Sequence, residues 1–508
     1  MSTVVLNGKS LTLQDVVNVA RKGYKIEIAP EAKEQIKECA QAVLNWVQEG
    51  RVVYGITTGF GDLASVSIPE DKCRTLQENL LLSHACGMGE PYAEDVVRAI
   101  MLLRINTLSR GYSGISLNTL QQMVDYLNKG IIPVVPTQGS VGASGDLCPL
   151  SHIAITLIGH GDVFYKGERM HVTEALKKEG MTPVQLQPKE GLALNNGTTV
   201  MNAVAALCVA DAEIMMKNAD IAASMSAEAL HAVPYAFDKR THELRPHVGQ
   251  GVVAENMRRL IEGSEIVEHF KKDRVQDAYS LRCLPQVNGS CRDALGYVKE
   301  KVEIEINSVT DNPIVFFKDG DVISGGNFHG EPLAMVMDFF GIAVAEFASI
   351  AERRVARMVD HKLSDLPPFL VSDSGVNSGF MIPQYTAAAL VSENKVLAHP
   401  SVVDSIPTSA NQEDHVSMGG YSARKARQIL DNTNKVIAIE YVNAAQGMDF
   451  RAPLKPGKGS EAAFKEFRKH IPFYEKDQYM QPLLLKSLEL VEAGTIVEAV
   501  EEKIGALK

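Results

Sequence analysis

Thr198–Leu230 is rich in Ala, Met and Leu, with its polar residues spaced as a helix requires. Leu333–Val359 and Tyr385–Leu397 read the same way. Alanine-bearing faces let long helices approach closely, so these stretches predict a bundle. Methionines such as Met215, Met216 and Met225 fit the irregular gaps of such a core and need no cofactor to explain them.

The first third of the chain has a different character. Val4–Leu6 is a short β-prone run ending in the Asn7-Gly8 turn signal. Thr12 can cap a helix to about Arg21, with Gly23 as its stop. Lys25–Ile28 alternates like a strand, and Pro30 opens a second helix to about Gln48. Helical patterning returns over Asp71–Ser83 and Glu94–Leu108, and Gly161–Met170 suggests a hairpin. The expected fold is mainly α. A smaller mixed α/β region over 1–196 precedes a long-helix bundle over 197–508. Length alone suggests about three domains, but no linker-like Pro/Ser stretch or repeat marks such boundaries.

A chain of 508 residues can bury a large core without staples. Its charge, 51 basic against 62 acidic residues, gives −11. Nucleic acid and anionic membranes both need a cationic surface, so neither is an expected partner. Asp338 and Glu346 interrupt the most apolar stretch, Leu333–Ile350, and carboxylates in lipid are costly. No membrane span is expected. The seven cysteines form no C-x-x-C pair and are odd in number, which points to reduced thiols and a cytoplasmic setting. Met1–Asp15 lacks the pattern of a secretory signal.

Several familiar motifs almost occur. His242-Glu-Leu-Arg-Pro-His247 resembles the zinc motif H-E-x-x-H, but its second histidine comes one residue late. Pro246 would also break the helix that aligns both imidazoles, so no metal site is expected. Gly142-Ala-Ser-Gly-Asp146 departs from G-x-S-x-G at its last position. There is no Walker loop, and Gly87-Met-Gly89 lacks the third glycine of a dinucleotide fingerprint.

Two glycine-rich segments remain. They are Tyr54-Gly-Ile-Thr-Thr-Gly-Phe-Gly61 and Gly139-Ser-Val-Gly-Ala-Ser-Gly-Asp146. The second continues as Leu-Cys-Pro-Leu-Ser-His152, and the whole run resembles the signature of the aromatic amino acid ammonia-lyases. Further blocks resemble the same family: Leu192-Ala-Leu-Asn-Asn-Gly-Thr198, Gln276-Asp-Ala-Tyr-Ser-Leu-Arg282, Asp311-Asn-Pro313, Ser324-Gly-Gly-Asn-Phe-His329 and Ser409-Ala-Asn-Gln-Glu-Asp-His-Val-Ser-Met418. The Tyr54–Gly61 loop resembles the family's as well. Thr57, Asn195 and Ala278 depart from the family pattern, where Asn, an aliphatic residue and Pro are usual.

The resemblance implies that Ala143-Ser144-Gly145 closes on itself into a methylidene-imidazolone (MIO), with no external cofactor. The Gly145 nitrogen attacks the Ala143 carbonyl, and two waters leave. Glycine's missing side chain makes so close an approach possible. None of the twenty side chains is a strong electrophile, so a built-in one replaces a bound cofactor. It also implies a homotetramer with shared active sites, whose core is the 197–508 bundle.

Roles for single residues follow from the same resemblance. Arg282 would grip the substrate carboxylate, because its fork matches one bidentately. Tyr54 would take the β-proton. Tyr279, Asn196 and Gln276 would hydrogen-bond the amine, the carboxylate or the ring oxygen, and Phe328 would stack beside the electrophile. His84 would face the substrate ring. Glu413 stands where histidine-selective members carry Glu and phenylalanine- or tyrosine-selective ones carry Gln or Asn. An imidazole has two nitrogens needing partners, so the implied substrate is L-histidine and the implied product trans-urocanate. Each residue has a plainer alternative: a core aromatic, a satisfied histidine, a loop lock or an ion-paired acid. The rival chemistries are tyrosine or phenylalanine elimination, an aminomutase, and a hydrolase with Ser144 as nucleophile.

Overall fold

The computed structural model describes residues 2–508, of which 60% is helix and 8% strand. The mainly helical expectation holds. The chain divides into two compact units. One comprises Met1–Ala210, Lys299–Asp338 and Pro400–Arg424, and the other Asp211–Val298, Phe339–His399 and Lys425–Lys508.

The strands belong to the first unit and are short. Thr3–Leu6 pairs in parallel with Lys25–Ile28, and the helix Leu13–Arg21 makes the crossover. Thr12 caps that helix by accepting from Asp15 N at 3.1 Å, while Asp15 accepts from Thr12 N at 3.0 Å. This reciprocal box satisfies two donors that a helix start leaves orphaned. Pro30 opens Pro30–Gln48, where its missing N–H costs nothing. Trp46 from that helix packs with Cys39, Val43, Val47, Val53, Ile56, Cys73 and Val315. Val53 and Ile56 therefore pin both flanks of Tyr54 to the core. Burial of each contributes roughly 1.5–3 kcal/mol. Asp162–Tyr165 and Glu168–His171 form the expected hairpin, and Ile131–Pro133 adds a third strand.

The long apolar stretches are helices Thr199–Ala229, Glu331–Val359 and Met381–Leu397. The first two are apolar enough to cross a membrane by length and composition, but 72% and 67% of their apolar windows is buried in protein. Asp338 shows what a carboxylate does in such a helix. It accepts from Ser401 N and Val402 N, each at 2.7 Å.

A further helix, Gly419–Asp449, is as long as Thr199–Ala229 but less apolar on average. Its buried positions include Asn432, Thr433, Glu440, Asn443 and Gln446 beside apolar residues. They find hydrogen-bond partners near and far along the chain: Asn443 donates to Ile439 O at 2.8 Å, and Glu440 accepts from Arg354 Nη2 at 2.9 Å. Glu440 also accepts from Ser226 at 2.7 Å. Periodicity in hydrophobicity cannot reveal a face that is buried but polar.

Candidate active site

The tripeptide lies where the chain bends back sharply. Gly142, Ser144 and Gly145 have φ of +75°, +51° and +78°. Left-handed backbone is free for glycine, whereas at Ser144 it costs about 1–3 kcal/mol, so the surroundings must enforce it. Gly142 bridges to Gly145, and Gly145 bridges to Gly197. Gly197 N donates to Ser144 O at 3.3 Å, and Asp146 N donates to Gly197 O at 2.7 Å. A Cβ on Gly145 would sit 2.1 Å from Gly197 O. Asp146, fully buried, accepts from Val200 N and Met201 N at 3.0 and 2.9 Å. Burial pushes its pKa up to about 6. The loop is thus clamped between the Leu192–Thr198 segment and the start of the long helix that follows.

Ser144 Oγ donates to Glu413 Oε1 at 2.8 Å, and Thr408 Oγ1 donates to Glu413 Oε2 at 2.8 Å. Between Thr408 and Glu413 the backbone closes on itself through Ser409, Ala410 and Asn411, all at positive φ. Gly61 abuts this turn, because a Cβ there would lie 2.6 Å from Ser409 Oγ. Gly61 N in turn donates to Tyr54 Oη at 3.1 Å. The loop carrying Tyr54, the turn carrying Glu413 and the tripeptide are therefore linked in one chain of contacts. Thr57 is a lock in that loop, donating to Arg51 O at 2.8 Å and accepting from Val53 N at 2.9 Å.

His84 ends the helix Cys73–His84, with Nδ1 3.0 Å from Ser83 Oγ. Burial lowers its pKa, against the pull of the Glu413 carboxylate nearby. Asn196 is buried and donates to Ser144 O at 3.3 Å, leaving its own carbonyl oxygen unpartnered. Asn195 points elsewhere, donating to Ser151 Oγ at 3.1 Å. Phe328 is half-buried, two residues before Gly330. A Cβ on Gly330 and one on Gly142 would both strike Ser417 Oγ, at 2.6 and 2.0 Å. The buried Ser417 hydroxyl is thus shared by the Phe328 segment and the tripeptide loop. Neither Ser417 nor Thr408 stands out in the sequence, although both lie in or beside the Ser409–Met418 block.

Gln276, Tyr279 and Arg282 lie in the second unit. Arg282 Cζ sits 4.6 Å above the Tyr279 ring and Nε donates to Asp277 O at 2.9 Å, which leaves the far end of the fork open. Tyr279 is 70% and Val275 97% exposed. His242, from the zinc-like segment, is buried with both ring nitrogens engaged, by Ala236 O and Gln250 Nε2, each at 3.0 Å.

The model of aromatic amino acid lyases matches residues 11–469. The chain belongs to the aromatic amino acid lyase family. Within that family it is 52% identical to the histidine ammonia-lyase of Alkaliphilus oremlandii, over 99% of both chains. The solved histidine ammonia-lyase of Trypanosoma cruzi is 40% identical, with a TM-score of 0.92 over 99% of this chain and 96% of that one. The tyrosine aminomutase of Streptomyces globisporus is 36% identical, with a TM-score of 0.95 over the whole of both chains. As an aromatic amino acid lyase, the chain shares its backbone with both an ammonia-lyase and an aminomutase. Side chains must distinguish such substrates.

Proposed function

We propose that this chain eliminates ammonia from L-histidine to give trans-urocanate, in the cytoplasm, as a homotetramer. The observation that carries the reading is the Ser144–Glu413 hydrogen bond of 2.8 Å, which places a carboxylate at the tripeptide. An imidazole substrate can donate to that carboxylate, and a phenyl ring would leave it unpaired. Ser144 Oγ donates to a carboxylate rather than to an imidazole, which does not support the hydrolase reading.

The residues present fit the MIO group. Three of the four residues Gly142–Gly145 are left-handed, Ala143 being the exception, and no side chain could be accommodated at Gly145. Ala143, Ser144 and Gly145 would form the ring, and Asn196 would hold its oxygen. When formed, the group supplies an electrophile that takes up the substrate amine and makes it a better leaving group.

The chain's own residues do the rest. Arg282 binds the substrate carboxylate, and Tyr279 and Gln276 hydrogen-bond the bound amino acid. His84 and Glu413 hold the imidazole, and Phe328 flanks it. Tyr54 accepts the β-proton at Oη, the atom now held by Gly61 N. Burial favours neutral His84, which can both donate and accept. A tetramer with shared sites accounts for the outward-facing Tyr279 and Val275, since a second copy can use what one chain exposes.

Intact-mass spectrometry tests the reading. Loss of two waters, about 36 Da, should map to Ala143–Gly145. A full-mass tripeptide in active protein would contradict it.

A further inference from the structure

Arg104, on the helix Glu94–Leu108, is 1% exposed and has no role in the chemistry above. A guanidinium offers five donors. Here Nη2 donates to Ala193 O, while Nε and Nη1 have no partner. Leaving buried charged donors unpaired is costly, so a plain packing role would be served better by an apolar residue.

The guanidinium lies against Gly197. A Cβ on Gly197 would come within 2.6 Å of Arg104 Nη1 and 2.8 Å of Thr310 Oγ1. Gly197 is the residue whose N–H and C=O grip Ser144 and Asp146 on either side of Gly145. Arg104 also anchors the carbonyl of Ala193, in the short helix Glu190–Asn195 that leads into Gly197. The nearby carboxylates are engaged by others. Asp311 takes Lys189 Nζ and Ser113 Oγ at 3.0 Å each, and Asp146 takes Val200 N, Met201 N and Ser140 Oγ. Burial lowers the pKa of Arg104 to about 10, with Asp311 and Asp146 pulling the other way, so the group is cationic at neutral pH.

We propose that Arg104 is a positioning residue for ring closure: packed on Gly197, it presses that backbone onto Gly145 and holds the Gly145 nitrogen within reach of Ala143. In the step it serves, the bond from Gly145 N to the Ala143 carbonyl carbon forms. The Ala143 oxygen leaves as water with the amide protons of Gly145 and Ser144. Ser144 then gives up Oγ and its Cα hydrogen as a second water. Arg104 touches none of these atoms and acts through Gly197. The inference rests on the MIO reading above.

The test is the fraction of purified chain that has lost about 36 Da, in wild type, Arg104→Lys and Arg104→Met. A misplacement of about 1 Å can cost about 100-fold in rate. Arg104→Met should therefore keep both waters in most chains while showing wild-type far-ultraviolet circular dichroism. Arg104→Lys keeps the cation but not the fork, and should give a mixture whose activity scales with the dehydrated fraction. Folded Arg104→Met with full mass loss overturns the proposal. If Arg104→Met does not fold, Arg104→Lys decides: complete dehydration overturns the proposal and a mixture supports it. A wild-type chain that keeps both waters overturns the MIO reading itself, which separates the two failures.

Discussion

Ser144 and Glu413, 269 positions apart, meet through a 2.8 Å hydrogen bond, and Thr408 holds the second carboxylate oxygen in place. Because Thr408 fixes one oxygen, the other is oriented toward the tripeptide before any substrate arrives. Replacing Glu413 by Gln keeps the shape and removes the charge. A hydrogen bond to a charged group contributes about 1.5–3 kcal/mol. Glu413→Gln should therefore lower kcat/KM for L-histidine by about 10- to 100-fold. The mass loss at Ala143–Gly145 should survive. Steady-state kinetics and intact mass on the same preparation check both halves.

Gly145 tolerates no side chain. A Cβ would lie 2.1 Å from the backbone oxygen of Gly197, and φ is +78°. Gly145→Ala should be destabilised by about 3 kcal/mol or more, and should keep the full tripeptide mass. Urea unfolding and mass spectrometry measure the two effects.

The second unit carries a buried polar core that should respond sharply to losing one partner. Arg354 and Glu440, both fully buried, pair through Nε and Nη2 at 2.5 and 2.9 Å. Arg354→Met leaves Glu440 uncompensated and should cost about 3–5 kcal/mol. The double variant Arg354→Met/Glu440→Leu should recover much of that loss. Denaturation of the three proteins completes the cycle.

Burial raises the pKa of Glu228 to about 6, against hydrogen bonds from Ser264, Ser460 and Gly457 N. Unfolded glutamate titrates near about 4.3. Below about pH 4 both states hold the proton. As pH rises from about 4 to 6 the unfolded chain releases it while the folded chain keeps it, so stability falls by an amount on the order of 2 kcal/mol. Asp146, also raised to about 6, contributes with the same sign. Glu228→Gln should flatten this part of the stability profile, as measured by thermal melts across that range.

What the sequence discloses follows its local signals. Thr12, Pro30 and the 94–108 helix are legible because caps, proline and periodicity act over a few residues. The Ala143–Gly145 loop is legible because its chemistry needs particular residue types side by side. Gly419–Asp449 is not, since its buried Asn, Thr and Glu are satisfied by partners far along the chain. Arg104, Thr408 and Ser417 escape for a related reason. Each matters through what it touches, Gly197, Glu413 and Gly142 in turn, and no short-range pattern announces such contacts.

Substrate choice is tested most directly by incubating the purified chain with L-histidine, L-tyrosine and L-phenylalanine in parallel, with product absorbance followed in the near ultraviolet and ammonia assayed. Urocanate and ammonia should form from L-histidine, with the other two turned over far more slowly. Turnover of L-tyrosine or L-phenylalanine without turnover of L-histidine would contradict the proposed function.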